Sequence, residues 1–175
     1  MTGAIIQCRL GSTRLPAKAL LMLPSRETIL ERVIHQAQRS YVDKVIVTSP
    51  DDIVLSIAKA CGAKTFKRDG NEKSVFHEYI EAGITFGLDT IVRLTADCPM
   101  ITDKAINEAL DKYAGEYYYN GIDGEDVEIF ELSDLMNITP DHENVTGSFY
   151  DVQRVISKPT SWSIDELSDY LKLWE

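Results

Sequence analysis

The chain has 175 residues, a formal net charge of −10 and a sequence pI near 4.8, with 44% hydrophobic and 26% charged residues. This is the balance of an ordinary globular protein, long enough to bury a core and to form one domain. It excludes general binding to DNA or RNA, whose phosphates demand a basic face, and no apolar run approaches the roughly 20 residues of a membrane helix.

In chain order, "GAIIQC" is a short apolar β run and the first strand. "ETILERVIHQAQRS" carries Ile29, Leu30, Val33, Ile34 and Ala37 at helical spacing. "KVIVTS" is β-branched and continuous, the mark of a strand buried on both faces. "DDIVLSIAKACG" opens with acids and stops at Gly62, as a helix does. "KTFKR" is a third strand, and "KSVFHEYIEAGITFG" a helix weakened by Gly83. "DTIVRLTAD" is a strand, and "TDKAINEALDKYAG" a helix capped by Thr102 and stopped at Gly115. The last 60 or so residues are less regular: "EYYYNGIDGEDVEIFEL" reads as two extended pieces around a Gly-rich turn, "DVQRVIS" as a further strand. "SIDELSDYLKLWE" reads as a terminal helix with Leu167, Tyr170, Leu171 and Trp174 on one face.

Strand–helix alternation over residues 1–115 predicts a mainly parallel sheet with helices on both faces. Ligands of such sheets lie beyond the carboxyl ends of the strands, which selects the segments 8–18, 48–52, 67–73 and 96–100. The chain divides into a regular strand–helix half, 1–115, and a smaller β-containing elaboration, 116–175, within one domain. The N-terminus "MTGAIIQCR" lacks a basic region and a long apolar stretch, so no signal peptide is expected. Cys8, Cys61 and Cys98 lie far apart in no metal-like spacing, which points to reduced thiols and a cytoplasmic protein.

The stretch "QCRLGSTRLPAK" at 7–18 stands out, because an acidic chain has no acid before Glu27 and here concentrates Arg9, Arg14 and Lys18. Gly11 permits a tight turn or a close approach of the backbone to a ligand. Ser12 and Thr13 add hydroxyls, Pro16 stiffens the loop, and guanidinium forks match phosphate oxygens. The spacing is not that of a Walker A loop, and no G-x-G-x-x-G is present. On charge alone a solvated basic loop and a phosphate cradle are equally supported. The position directly after strand one favours the phosphate, with a nucleoside triphosphate as the simplest ligand.

"QCRLGSTRLPAKAL" resembles the N-terminal signature of the cytidylyltransferase family, which includes CMP-Kdo synthetases and spore-coat polysaccharide proteins of the SpsF type; Cys8 stands for the usual Ala and Ala17 for the usual Gly. "DKVIVTSPDD", "TIVRLTADCPMI", "GEDVEIF", "HENVTGSFY" and "SIDELSDY" resemble further segments of that family, in family order and over nearly the whole chain. The resemblance implies a three-layer α/β/α, GT-A-like nucleotidyltransferase fold. It implies an enzyme of polysaccharide biosynthesis that transfers CMP from CTP to a sugar or sugar acid and releases pyrophosphate. It implies Mg²⁺ as cofactor, nucleotide and sugar-type substrates as partners, no membrane partner, and a homodimer.

On spacing alone Asp97, just past the strand "TIVRLT", is equally a metal ligand or a cap for the turn before Pro99, and Asp165 reads as a helix N-cap. The resemblance assigns both to the metal. It places Gln7, Arg9, Leu10, Gly11, Ser12, Arg14, Lys18, Thr48 and Arg93 at the nucleotide, with Arg14, Lys18 and Asp97 catalytic and the backbone of Leu10 and Gly11 against the nucleoside. Arg93 reads equally as a strand-end surface residue. Glu128 either orients the acceptor or faces water, and His142 is a second acceptor candidate. Asp169 and His77 read as structural, and the tyrosines at 117–119 as strand and dimer packing.

Departures from the family pattern lie on the acceptor side. Ser74 and Glu78 replace the Asp and Arg of a D-V-x-x-R pattern, and Asn144 and His142 replace the His and Arg of R-E-H-V-T. "NGIDGED" replaces a basic, proline-containing run, and the second half is shortened. A transferase using another nucleotide or a sugar phosphate, and a nucleotide-binding module without turnover, are therefore the alternatives.

Overall fold

In a computed structural model, described over residues 1–68, 75–115, 117–120, 126–137 and 163–174, six strands form a single sheet. The strands are β1 (Thr2–Gln7), β2 (Lys44–Ser49), β3 (Lys64–Lys67), β4 (Thr90–Thr95), β5 (Tyr118–Tyr119) and β6 (Glu128–Glu131). Their order is β3-β2-β1-β4-β6-β5. The pairs β1–β2, β1–β4 and β2–β3 are parallel, whereas β6 runs antiparallel to both β4 and β5. The sheet is thus mainly parallel with a small antiparallel elaboration from the second half, as the alternation of elements predicts. The turn at 121–125 and the strand expected from "DVQRVIS" lie outside the described residues.

The helices are α1 (Ile29–Arg39), α2 (Asp52–Ala60), α3 (Val75–Phe86), α4 (Asp103–Lys112), α5 (Leu132–Asn137) and α6 (Leu167–Leu171). Local signals explain their ends. Thr28 and Glu31 form a capping box on α1, and the Thr102 hydroxyl accepts from the Ala105 amide at the start of α4. Gly62 and Gly115 follow α2 and α4 with positive φ.

Alternate residues of each central strand feed two cores. Ala4, Ile6, Val47 and Leu94 pack with Leu30, Val33 and Ile34 of α1, Val54 and Ala58 of α2, and Ile106 of α4. Ile5, Ile46, Ile91 and Phe130 pack with Tyr79 and Ala82 of α3 and with Leu132 and Leu135 at α5. Helices on both faces of one sheet make the three-layer arrangement. Gly83, read from sequence as a weakness in α3, is where α3 meets its neighbours closely: a Cβ there would lie 2.9 Å from Leu132 Cδ1 and 3.3 Å from Ile91 Cδ1.

A third cluster positions the site. Ile164 is buried with Leu23 and Ile29, and Leu15, Leu21, Tyr170 and Leu173 pack around them. The Tyr170 hydroxyl donates to the Met22 carbonyl at 2.7 Å. The C-terminal segment is therefore docked on the loop between β1 and α1. The apolar face expected of the terminal helix is split: α6 is only five residues long and passes into a 3₁₀ turn, so Tyr170 turns inward while Leu167, Leu171 and Trp174 stay about half exposed.

Candidate functional site

The 8–18 loop leaves the carboxyl end of β1, the central strand, and is held by backbone and side-chain tethers. The Leu10 amide donates to Asp51 Oδ2 at 2.9 Å, and the Ala17 amide to the Leu10 carbonyl at 3.0 Å. Both backbone groups of Leu10 are thus engaged within the protein. Gly11 lacks a positive φ, and a Cβ on it would meet nothing within 4 Å, so open space, not a tight turn, lies beside it. The left-handed position of the loop is Ala17, with φ 54° and ψ 24° just before the 3₁₀ turn Lys18–Leu20. Where the family pattern has Gly, this chain holds Ala in a conformation that glycine takes freely.

That turn aims Lys18 at two carboxylates. Lys18 Nζ lies 2.7 Å from Asp97 Oδ2 and 2.9 Å from Asp165 Oδ1, and the Arg14 guanidinium lies 2.9 Å from the same Asp165 oxygen. Asp97 follows β4, the strand beside β1. Asp165 arrives from the docked C-terminal segment, where the Ile164 amide donates to the Asp97 carbonyl at 3.1 Å. Asp165 is not the cap of α6: the N-cap residue is Glu166, and Asp169 accepts from the amides of Asp165 and Glu166, the structural role expected of it. Lys18 is only 12% exposed and each carboxylate 31%. Burial pushes the Lys18 ammonium pKa down, but its hydrogen bonds to Asp97 and Asp165 and their charges together hold it above the usual lysine range.

Among the described residues no group of three or more His, Cys, Asp or Glu converges as a metal cage. The Asp97–Asp165 pair nevertheless fits a magnesium-type ion, which is held by one or two carboxylates with phosphate and water completing its shell. The two already converge on one cation, Lys18 Nζ.

Behind the loop a second polar network crosses the sheet. Arg68 pairs with Glu78 and donates to the Cys8 carbonyl at 3.2 Å, while Gln7 Nε2 donates to Glu78 Oε2 at 3.1 Å. Asp51 and Arg68 were not singled out individually by the sequence, although both fall within the flagged segments 48–52 and 67–73.

Other expected residues sit apart from this cluster. Thr48 is 1% exposed within β2, where its carbonyl accepts from the Cys8 amide. Arg93 lies inside β4 and not at a strand end; it pairs with Glu128, which also accepts from Tyr117. Glu128 is 2% exposed and so does not face water. Burial lowers the Arg93 pKa, but the neighbouring Tyr79 and Glu128 outweigh it and raise the net value; burial pushes the Tyr79 phenol up to about 12. Arg9 is exposed with no salt bridge to a described residue, the Ser12 hydroxyl accepts from the Leu15 amide, and His77 is exposed. Ser74 and His142 lie outside the described residues.

A protein-family model described as Cytidylyltransferase matches residues 3–156. The chain belongs to the cytidylyltransferase family. It is 30% identical over 117 residues to a 3-deoxy-manno-octulosonate cytidylyltransferase of Cellvibrio japonicus, covering 65% of this chain and 46% of that one. It is 30% identical over 151 residues to the spore coat polysaccharide biosynthesis protein SpsF of Bacillus subtilis, covering 77% and 62%. A solved cytidylyltransferase of Leptospira borgpetersenii superposes with a TM-score of 0.79 at 32% identity, over 97% of this chain and 83% of that one. The chain spans about half the length of the curated relatives it first matches. The family and the fold expected from "QCRLGSTRLPAK" and the later segments are the ones found, although "SIDELSDY", at 163–170, lies beyond the residues that the family model matches. The cytidylyltransferase signature coincides in space with the Lys18–Asp97–Asp165 cluster.

Proposed function

We propose that this protein is a nucleotidyltransferase that moves CMP from CTP to a sugar or sugar acid, for activated-sugar and polysaccharide biosynthesis. The observation that carries this reading is the convergence of Arg14, Lys18, Asp97 and Asp165 at the carboxyl edge of a parallel sheet. Three basic groups of the loop, Arg9, Arg14 and Lys18, supply the charge for a triphosphate, and Gly11 leaves room for the nucleotide beside the backbone. Asp97 and Asp165 would hold Mg²⁺, which when bound neutralises phosphate charge.

In the transfer, an acceptor oxygen forms a bond to the α-phosphorus of CTP and the α–β bridging P–O bond breaks. The acceptor proton is lost to solvent or a base, and pyrophosphate leaves with the bond electrons. The chain's part is positioning and charge: its loop orients the triphosphate in line, and Lys18 and Arg14 stabilise charge building on the leaving group. Residues 1–115 act as the nucleotide half and 116–175 as the acceptor side of one domain. Gln7, Leu10, Ser12 and Thr48 line or support the nucleotide. Arg93 belongs with these on the nucleotide side; Glu128, its ion-pair partner, and His142 belong to the acceptor side, and the protein acts as a cytoplasmic homodimer.

The test is thermal shift with CTP, UTP, ATP and GTP in MgCl₂, then pyrophosphate release across a panel of acidic and amino sugars. CTP should stabilise the protein most, and Asp97→Ala should abolish Mg²⁺-dependent release while the fold persists. Full activity of Asp97→Ala, or no stabilisation by any nucleotide, refutes the reading.

A further inference from the structure

We propose that Lys18 is a positioning residue that stands in for the divalent cation between Asp97 and Asp165, and that a bound triphosphate draws it away. Nucleotide and cation then bind with positive coupling set by this one side chain. The inference rests on the reading of Asp97 and Asp165 as cation ligands.

The geometry points to exchange. The Lys18 ammonium occupies one oxygen of each carboxylate, at 2.7 and 2.9 Å, with most of its surface withdrawn from water. A carboxylate oxygen engaged by an ammonium at this distance is not available to a metal on the same side. Two partly buried anions from distant parts of the chain also repel each other unless a cation lies between them. Lys18 therefore keeps the pair assembled and at the same time blocks it. Its donors serve phosphate oxygens equally well, and its four-carbon stem can swing without movement of the Lys18–Leu20 turn. Of the two carboxylates Arg14 touches only Asp165, from an exposed position with 60% of its side chain open, so it shares the charge without filling the gap. Any factor by which nucleotide raises cation affinity must equally be the factor by which cation raises nucleotide affinity.

The experiment measures Mn²⁺ binding to the full chain by electron paramagnetic resonance, with and without the α,β-methylene analogue of CTP. Without nucleotide, Lys18→Met should bind Mn²⁺ at least tenfold more tightly than wild type, whereas Arg14→Met, which removes the same charge nearby, should change affinity less than about twofold. The enhancement of Mn²⁺ affinity by the analogue should shrink by the same tenfold in Lys18→Met. Lys18→Gln serves if the methionine variant does not fold. Equal Mn²⁺ affinity in wild type and the Lys18 variants, or equal gains from Lys18→Met and Arg14→Met, overturns the proposal. Mn²⁺ binding that Asp97→Asn leaves unchanged sinks instead the assignment of the carboxylates on which the proposal stands.

Discussion

Arg68 and Glu78 form an ion pair directly beneath the point where the chain leaves β1, each side chain about a tenth exposed. The same arginine holds the Cys8 carbonyl, and the same glutamate holds Gln7. Arg68, just past the end of β3, thus supplies the basic group at this corner. Glu78→Gln leaves a nearly buried guanidinium without its counter-charge, which costs about 3 kcal/mol. Chemical denaturation should show that loss, whereas the double variant Arg68→Met, Glu78→Met should recover most of it. A Glu78→Gln protein as stable as wild type would show that the pair carries no net strength.

Asp51 stands at the N-cap position of α2 but makes no cap bond there; it accepts from the Leu10 amide instead. Asp51→Ala should therefore act on the loop more than on the helix. The expected loss is about 1.5 kcal/mol, the worth of a hydrogen bond to a charged acceptor. CTP affinity, measured by calorimetry, should fall with it, and Asp51→Asn, which keeps an acceptor oxygen, should restore most of both. A helix-only effect, with unchanged CTP affinity, counts against this tether.

Ala17 in the left-handed region carries a penalty of about 1 kcal/mol that glycine escapes, offset in part by the greater freedom of glycine in the unfolded chain. Ala17→Gly is expected to leave the melting temperature level or raise it by a few degrees. Ala17→Val, β-branched at the same φ, should lower it clearly. A destabilising glycine and a neutral valine would contradict the backbone geometry.

Burial pushes the Cys8 thiol from its ordinary 9.0 to about 12, and Lys18 is also held above its usual range. In both cases the folded state binds the proton more tightly than the unfolded chain. For Cys8 this contribution is complete below about pH 9 and is lost as pH rises through 9 to 12; for Lys18 it is complete below the ordinary lysine value of 10.5 and is lost at higher pH. Unfolding free energy measured against pH should fall over that window, and Cys8→Ala should make the fall shallower. Buried Cys8 and Cys98 should also react with a thiol reagent at pH 8 far more slowly than Cys61, the half-buried third cysteine.

Read alone, the sequence determines the parallel part of this fold and the place of the basic loop at the carboxyl end of its first strand. Both rest on short-range signals: β-branched runs such as "KVIVTS", caps such as Thr102, and a cluster of Arg and Lys in "QCRLGSTRLPAK" without a single acid. The resemblance also named Asp97 and Asp165, but in isolation each was as well explained as a cap. Tertiary structure decided how they meet. Ile164, buried against Leu23 and Ile29, carries the C-terminal segment back to the first loop, and Lys18 closes on both carboxylates only because of that docking. The Arg68–Glu78 pair and the Asp51 tether were out of reach for the same reason: each joins residues from different strands and helices. Local pattern selects elements, but which charges become neighbours depends on the register and packing of the whole sheet.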